Sequence, residues 1–507
     1  MTLEISPYKD KRIQPTIALV SGNPERLRYV TSNGDAGEGD PETVWQILNR
    51  KESYVTTTVD RGKPRTRTRI GAKPIVIAAK RGSIRDLVRT CDARHWVGTR
   101  ATHGKYKRLD HIDGPTVRRL GITADIEDAA EALFTFVEFM NYHGVRFNGS
   151  IAGAGLNLFR STLTEPIHFW APPIALEALW PGRREYWHEP KLWYGMQYFD
   201  LKAAYPAALM ERGIPTRWHQ VDPDKWRNEP DGFSVTRSFT PYDNPPPNPL
   251  PLRLRPGSRR ESISWATGAF SGTFPHRDLQ NAEEVDAWVQ PEESWAPNRY
   301  TDAFASEAWQ MLRLEMRTLP GMAGLLGKLA DNGLWGMFAF DNTGDVEVKW
   351  TTKDGDMSKA TERRKAGLRK AHGIGVALAA TSRVRQSLWK GVRQAQAIYC
   401  DTDGMIAPEA AYVAPRACGD GSWYPKQPLP IVQIKAPQIY RWITPRDFME
   451  WENGEVPASA WHYLGESDPK NFLSAPVTPG QLHGDDMGTA PAMSVRQAYL
   501  RGLMEDA

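Results

Sequence analysis

Three short segments of this chain carry residues that could act together on a phosphate. The first is Tyr198-Phe199-Asp200-Leu201-Lys202-Ala203-Ala204-Tyr205-Pro206, an apolar run that ends in a carboxylate, with Pro206 placed for the first turn of a helix. The second is Lys328-Leu329-Ala330-Asp331-Asn332-Gly333-Leu334-Trp335-Gly336. On a helix Lys328, Asn332 and Trp335 share one face, so a cation, an amide and an aromatic ring could meet a triphosphate and a base. The third is Tyr399-Cys400-Asp401-Thr402-Asp403-Gly404, a polar turn between apolar strand-like runs. Asp401 and Asp403 are two residues apart and can present their carboxylates to one spot, where like charges repel unless a cation lies between them. Each segment has an ordinary reading when taken alone: a helix cap or surface charge, a solvent lysine over a core tryptophan, a plain or calcium-like turn. Together they form the minimum set for metal-assisted phosphoryl transfer, in which hard oxygen ligands hold two divalent ions about 4 Å apart.

The elements needed to position these groups can be read from periodicity. Short strands are expected at Thr16–Val20 and Pro74–Ala78, and a helix from Ile126 to Tyr142, where Ala130, Leu133, Phe134, Val137 and Met140 recur at helical spacing. A buried strand is expected over Tyr194–Phe199, and helices over Ala303–Thr318, Leu325–Phe338 and Gly375–Arg393. Residues 241–256 hold seven prolines, which argues against regular structure and for a surface loop or small insertion. A chain of 507 residues has room for several domains. Its three cysteines, Cys91, Cys400 and Cys418, lack the spacing of a zinc site or redox pair. No run is long and apolar enough for a membrane span, and no secretory signal pattern opens the chain, so a cytoplasmic protein with no membrane partner is expected. Net charge is only +4, but residues 61–108 hold 15 Lys or Arg against two Asp, and residues 359–393 hold ten against Glu362. Two such stretches suit a polyanion, whose phosphates they would neutralise.

In residues, order and spacing the three segments resemble the DxxSLYP, KxxxNSxYG and YxDTDS motifs of family B DNA polymerases. Asp200 and Lys328 are 128 residues apart and Lys328 and Asp401 73, separations similar to those of the compact protein-primed phage branch. Trp180-Pro181-Gly182-Arg183-Arg184 resembles that family's YxGG-type linker, and Gln433–Tyr440 the stretch that carries its KxY primer contact. The resemblance implies a DNA-directed DNA polymerase that adds deoxynucleotides to a primer 3′-hydroxyl. It implies two Mg²⁺ ions, replaceable by Mn²⁺, held by the carboxylates of Asp200, Asp401 and Asp403 with help from Leu201. Tyr205, Arg313, Arg317, Lys328 and Asn332 would bind the nucleotide. Gly182, Arg183, Gly336, Tyr399, Thr402, Lys435 and Tyr440 would contact DNA. Primer-template DNA, deoxynucleoside triphosphates and a priming terminal protein are the partners it implies, in replication of a phage or mobile element.

The implied fold class is α+β and multi-domain: a right-hand polymerase preceded by a mixed α/β exonuclease-like domain over 1–150. A linker with the template-contact motif covers 151–193, the palm 194–300 and 394–430, fingers 301–393 and a thumb 431–507. Departures from the family pattern are Ala203, Gly333 and Gly404 at motif serines, Trp335 at the motif tyrosine, and Gln438 at the KxY lysine, with Lys435 as its stand-in. The N-terminal domain is read as non-catalytic, because Asp40-Pro41-Glu42 is a poor active-site strand, Gly121 replaces a tyrosine, and Asp110, Asp125 and Asp128 lack a clear partner. Two other readings stay open: a palm polymerase that uses RNA, and a catalytically silent DNA-binding protein on the same scaffold.

Overall fold

The structure is a computed structural model that describes residues 2–5, 7–8, 17–22, 26–40, 43–44, 53–60, 63–70, 75–78, 126–147, 151–188, 191–211, 213–242, 247–254, 262–265, 267–339, 346–353, 356–364, 373–411, 421–437, 439–449 and 461–463. Glu42, Asp110, Gly121, Asp125, Gln438 and most of the basic stretch 61–108 lie outside the described residues. The chain divides into two compact units, one formed by 1–2, 169–302 and 373–507, the other by 3–168 and 303–372.

The first unit is built on two sheets. In the larger one the strand Leu192–Leu201 is central: Gly404–Pro408, Tyr399–Asp401 and Arg184–Tyr186 follow on one side, and Trp423–Ala436, Ile439–Ile443 and His462–Tyr463 on the other. The expected strand Tyr194–Phe199 is therefore the middle of this sheet. The strand Trp423–Ala436 runs without a break across residue 430, where a thumb was expected to begin, and it pairs with the central strand from Leu201 to Leu192. In the second sheet Ile214–Val221, Trp288–Thr301, Phe233–Thr240 and Gly268–Pro275 lie side by side, all antiparallel.

The helix Ile374–Ala395 ties the unit together, and most of its side chains are buried. Its arginines correct one expectation. Arg383 and Arg385 belong to the basic stretch read as a polyanion surface, yet both are buried. Arg383 donates to Asp231 (2.9 Å) and to the Ala208 carbonyl (2.8 Å), and Arg385 to Asp278 (2.7 Å) and the Trp180 carbonyl (2.6 Å). A guanidinium leaves water only when its donors are met, and here two buried carboxylates and several carbonyls meet them.

Within the proline-rich segment, residues 247–254 include regular structure that was not expected. Pro251–Leu254 forms a strand paired with Ser262–Trp265, with Asn248 and Leu250 fully buried beside it. Pro251 is tolerated because it is the first residue of a two-stranded hairpin. Arg253 then stacks on Trp180 at 4.3 Å and donates to the Leu179 carbonyl at 2.7 Å, fastening the hairpin to the segment that carries Gly182.

In the second unit Ile17–Gly22 and Ile75–Ala78 pair in parallel, as the two expected strands, with Leu27–Thr31 and Ala36–Gly39 continuing the sheet. The expected helix spans Ile126–Tyr142. Helices Glu307–Arg317 and Met322–Ala339 occupy the two expected helical stretches. Ser306 caps the first, its Oγ accepting from the Trp309 amide at 3.4 Å. The helix Ile151–Ser161 crosses Met322–Ala339 so closely that a Cβ on Gly155 would lie 2.2 Å from the Ala330 carbonyl oxygen, which restricts residue 155 to glycine.

Candidate active site

Pairing in the larger sheet gathers the acids. Asp200 is opposite Gly404 on one side, and Asp401 is opposite Gly404 on the other. The two carboxylates are thus two strand spacings apart, about 10 Å between backbones. Asp403 sits between them at the turn, its amide donating to the Asp401 carbonyl at 2.6 Å and its carbonyl accepting from the Leu201 amide at 2.8 Å. Thr402 forms the tip with φ of 59°, a conformation costly for a β-branched residue, on the order of 1–3 kcal/mol. It is held there by its amide on the Arg183 carbonyl and by its hydroxyl, which donates to Asp401 Oδ1 (3.1 Å) and accepts from Arg184 Nε (3.2 Å).

Charge is unevenly balanced across the three acids. Asp200 Oδ2 accepts from Lys426 Nζ at 2.9 Å and from the Tyr424 hydroxyl at 3.2 Å. Asp401 Oδ1 pairs with Arg184 Nε at 3.0 Å. Asp403 makes no ion pair among the described residues. Burial, and next the Asp200 charge, push its carboxyl up to about 7, against the pull of Lys426. Such a carboxylate beside two others is set to gain from an added cation, and oxygen donors of this type suit a hard divalent ion. Among the described residues no three acidic, His or Cys side chains stand close enough together to hold a metal ion as they are.

Of the other expected site residues of this unit, Tyr205 and Gly182 lie against the hairpin tip. Tyr205 is buried on the helix Ala204–Met210, whose preceding residue Ala203 takes the left-handed φ of 47° to turn the chain sharply out of the strand. Burial, with Asp403 next, raises the Tyr205 phenol far above its usual range, which keeps it protonated. A Cβ on Gly182 would lie 2.7 Å from Thr402 Cγ2 and 3.1 Å from the Tyr205 hydroxyl, so glycine alone lets this loop touch both. Tyr399 and Tyr440 pack edge to face at 5.5 Å beneath the hairpin. Lys435 is not brought to the acids: on its strand Tyr424 is opposite Asp200, whereas Lys435 lies beyond Gln433, which is opposite Leu192 at the far end, and there burial, then Arg441, lowers its ammonium.

Arg183 departs from its expected role at DNA. Its guanidinium is 3% exposed, paired with Glu185 and stacked 4.2 Å over Trp265. Neighbours on an extended chain point to opposite faces, so Arg184 is the arginine left at the surface, reaching Asp401.

Lys328, Asn332 and Gly336 lie on the helix Met322–Ala339 of the second unit, with Lys328 exposed and the buried Asn332 Oδ1 lacking a hydrogen-bond partner. Arg313 was expected at a triphosphate but is 4% exposed and grips both oxygens of Asp331 at 2.9 and 3.0 Å; Arg317 adds a longer contact at 3.4 Å. This bidentate pair locks one helix to the next. Asp40 is occupied too, accepting from the Thr43 amide at 3.0 Å as a helix cap, while Asp128 is exposed.

Comparison with solved structures gives the fold a precedent. A Phi29 DNA polymerase complexed with primer-template DNA and incoming nucleotide is similar over 91% of this chain and 94% of that one, with a TM-score of 0.55. The fold is that of Phi29 DNA polymerase. Sequence identity in that alignment is 14%, and the same polymerase with single-stranded DNA matches at 13% identity over 90% and 93% of the two chains, TM-score 0.53. No protein-family model and no curated protein sequence matches the chain. The resemblance drawn from three short motifs therefore agrees with the fold found over 91% of the chain, at a sequence identity of 14%.

Sequence reasoning missed Lys426, Tyr424 and Arg184 as partners of the acids. Lys426 lies among Pro425, Pro428 and Pro430, a spacing without a strand signature, so nothing local marked it as facing Asp200.

Proposed function

We propose that this chain is a DNA-directed DNA polymerase of the family B type, extending a primer 3′-hydroxyl with deoxynucleotides by two-metal-ion phosphoryl transfer. The observation that carries the reading is that three adjacent strands bring Asp200, Asp401 and the turn residue Asp403 to one end of the sheet, with Asp403 left without an ion pair among the described residues. Magnesium, held by these carboxylates, would activate the attacking hydroxyl and stabilise the leaving pyrophosphate. The chain's own residues do the remaining work. Tyr205, buried against the hairpin tip, would fill the space a ribose 2′-hydroxyl needs, and Lys328 would meet the triphosphate as a point charge. Thr402 and Gly182 hold the tip rigid, so that Asp401 and Asp403 keep their aim. Arg313 has no part in this reading, since Asp331 holds it.

The N-terminal region is proposed to lack proofreading activity, a reading supported by the capping role of Asp40 and the exposure of Asp128. The test is primer extension with Mg²⁺ on DNA and on RNA templates, with Asp403→Asn beside the unaltered chain. Extension on DNA that falls at least 10³-fold in Asp403→Asn, with DNA binding retained, is the expected result, because an amide is a far weaker ligand for a hard cation. DNA binding with no extension under any divalent ion would identify a silent scaffold and overturn the proposal.

A further inference from the structure

The contact between Lys426 and Asp200 is built into the sheet. Along the pairing of Leu192–Leu201 with Trp423–Ala436, Tyr198 faces Gln427 but the next residue, Phe199, faces Pro425. Lys426 is thus the extra residue of a β-bulge, the device by which a strand re-aims one side chain beside a site. Aimed this way, its Nζ meets Asp200 Oδ2 at 2.9 Å and lies 5.3 Å from the centroid of the Tyr198 ring. Arg184 stands on the other flank, on Asp401. Three carboxylates therefore face two cationic side chains.

We propose that Lys426 is an internal counter-ion that neutralises Asp200 in the metal-free site and is displaced from it when a divalent cation binds. The inference rests on the two-metal reading of the site and adds to it a competition within the chain. Lys426 is the cation suited to leave. It is half-exposed, it sits on a flexible four-carbon stem, and the Tyr198 ring offers its ammonium a second seat. Arg184 is bound to Thr402 as well as to Asp401, and so is anchored at the turn. Divalent-ion affinity should then be set below what three carboxylates could give, and Asp200 should stay charge-compensated when no metal is present.

The experiment is Mn²⁺ binding to the full chain, followed by electron paramagnetic resonance without DNA or nucleotide, together with thermal melting in EDTA and in saturating Mn²⁺. Lys426→Met is expected to bind Mn²⁺ about five- to tenfold more tightly, as the loss of one half-exposed positive charge beside the site implies. Lys426→Arg, which keeps the charge, should stay within about twofold of the unaltered chain. In EDTA Lys426→Met should melt below the unaltered chain, and saturating Mn²⁺ should erase that deficit. Unchanged or weaker Mn²⁺ affinity in Lys426→Met, or an equal melting deficit with and without Mn²⁺, would overturn the proposal and leave Lys426 a structural lysine. Asp403→Asn separates the two levels. If it abolishes binding while Lys426→Met changes nothing, only the counter-ion fails, whereas no Mn²⁺ binding in the unaltered chain and in Lys426→Met alike sinks the metal site and this inference with it.

Discussion

Gly404 stands where the family motif has a serine, and restoring a side chain there should damage the protein. A Cβ at residue 404 would lie 2.2 Å from the Tyr198 hydroxyl, 2.7 Å from its Cζ and 3.2 Å from the Phe199 carbonyl oxygen. Comfortable contacts between such atoms begin near 3.5 Å, so the ring or the hairpin must move. The ring has little room, because Tyr198 packs against the cluster of Met196, Tyr399, Ile406 and Tyr440. Overpacking of this kind costs about 1–3 kcal/mol, which in a unit of this size lowers the melting temperature by roughly 2–10 °C. If the hairpin yields instead, Asp403 moves with it, and a misplacement of about 1 Å costs on the order of 10²-fold in rate. Gly404→Ala should therefore show reduced melting temperature and reduced primer extension. Adding Tyr198→Leu, which removes the clashing atoms, should recover part of both losses, a non-additivity of about 0.5–3 kcal/mol. A Gly404→Ala chain that melts within about 1 °C of the unaltered one and extends primers normally would refute the reasoning, and so would a double variant whose losses merely add.

Tyr205→Val should raise the use of ribonucleotides relative to deoxynucleotides, checked as the ratio of incorporation efficiencies; an unchanged ratio removes the ring from the sugar pocket. Asp231→Ala should cost about 3–5 kcal/mol in urea unfolding, because it leaves the buried Arg277 and Arg383 guanidinium groups without their shared carboxylate. His276 is fully buried, flanked by the Glu229 carbonyl at 2.6 Å and the Ser234 hydroxyl at 2.8 Å, and burial holds its imidazole down to about 4. Below its usual value of 6.5 the unfolded chain therefore takes up a proton that the native state refuses. Its contribution is complete above about pH 6.5 and falls by about 3 kcal/mol as the pH drops to 4, so His276→Gln should flatten that part of the stability profile measured by urea unfolding.

Much of the fold was legible because its signals are local. The helix Ile126–Tyr142 and the strand holding Asp200 follow from apolar periodicity, and the hairpin Tyr399–Pro408 from a polar turn between apolar runs. The proline count of 241–256 misled, since a single pair of strands, Pro251–Leu254 and Ser262–Trp265, forms where the prolines leave the ladder intact. Basic residues misled in a similar way. Arg183, Arg313, Arg383 and Arg385 look like phosphate-binding side chains in the sequence, and each is instead buried on an acid, two to 152 residues away along the chain.

The sequence alone determined which residue types could do this chemistry. Three carboxylates and a lysine in the right order are a chemical statement, independent of how the chain is folded. What only the tertiary structure decided is the charge each group feels. That Asp403 is buried beside Asp200, that Lys426 reaches Asp200 across 226 residues, and that glycine is required at 404 all depend on strand register. Register is fixed by which long-range pairings bury the sheet, and a shift of one residue would turn every one of these side chains to the other face.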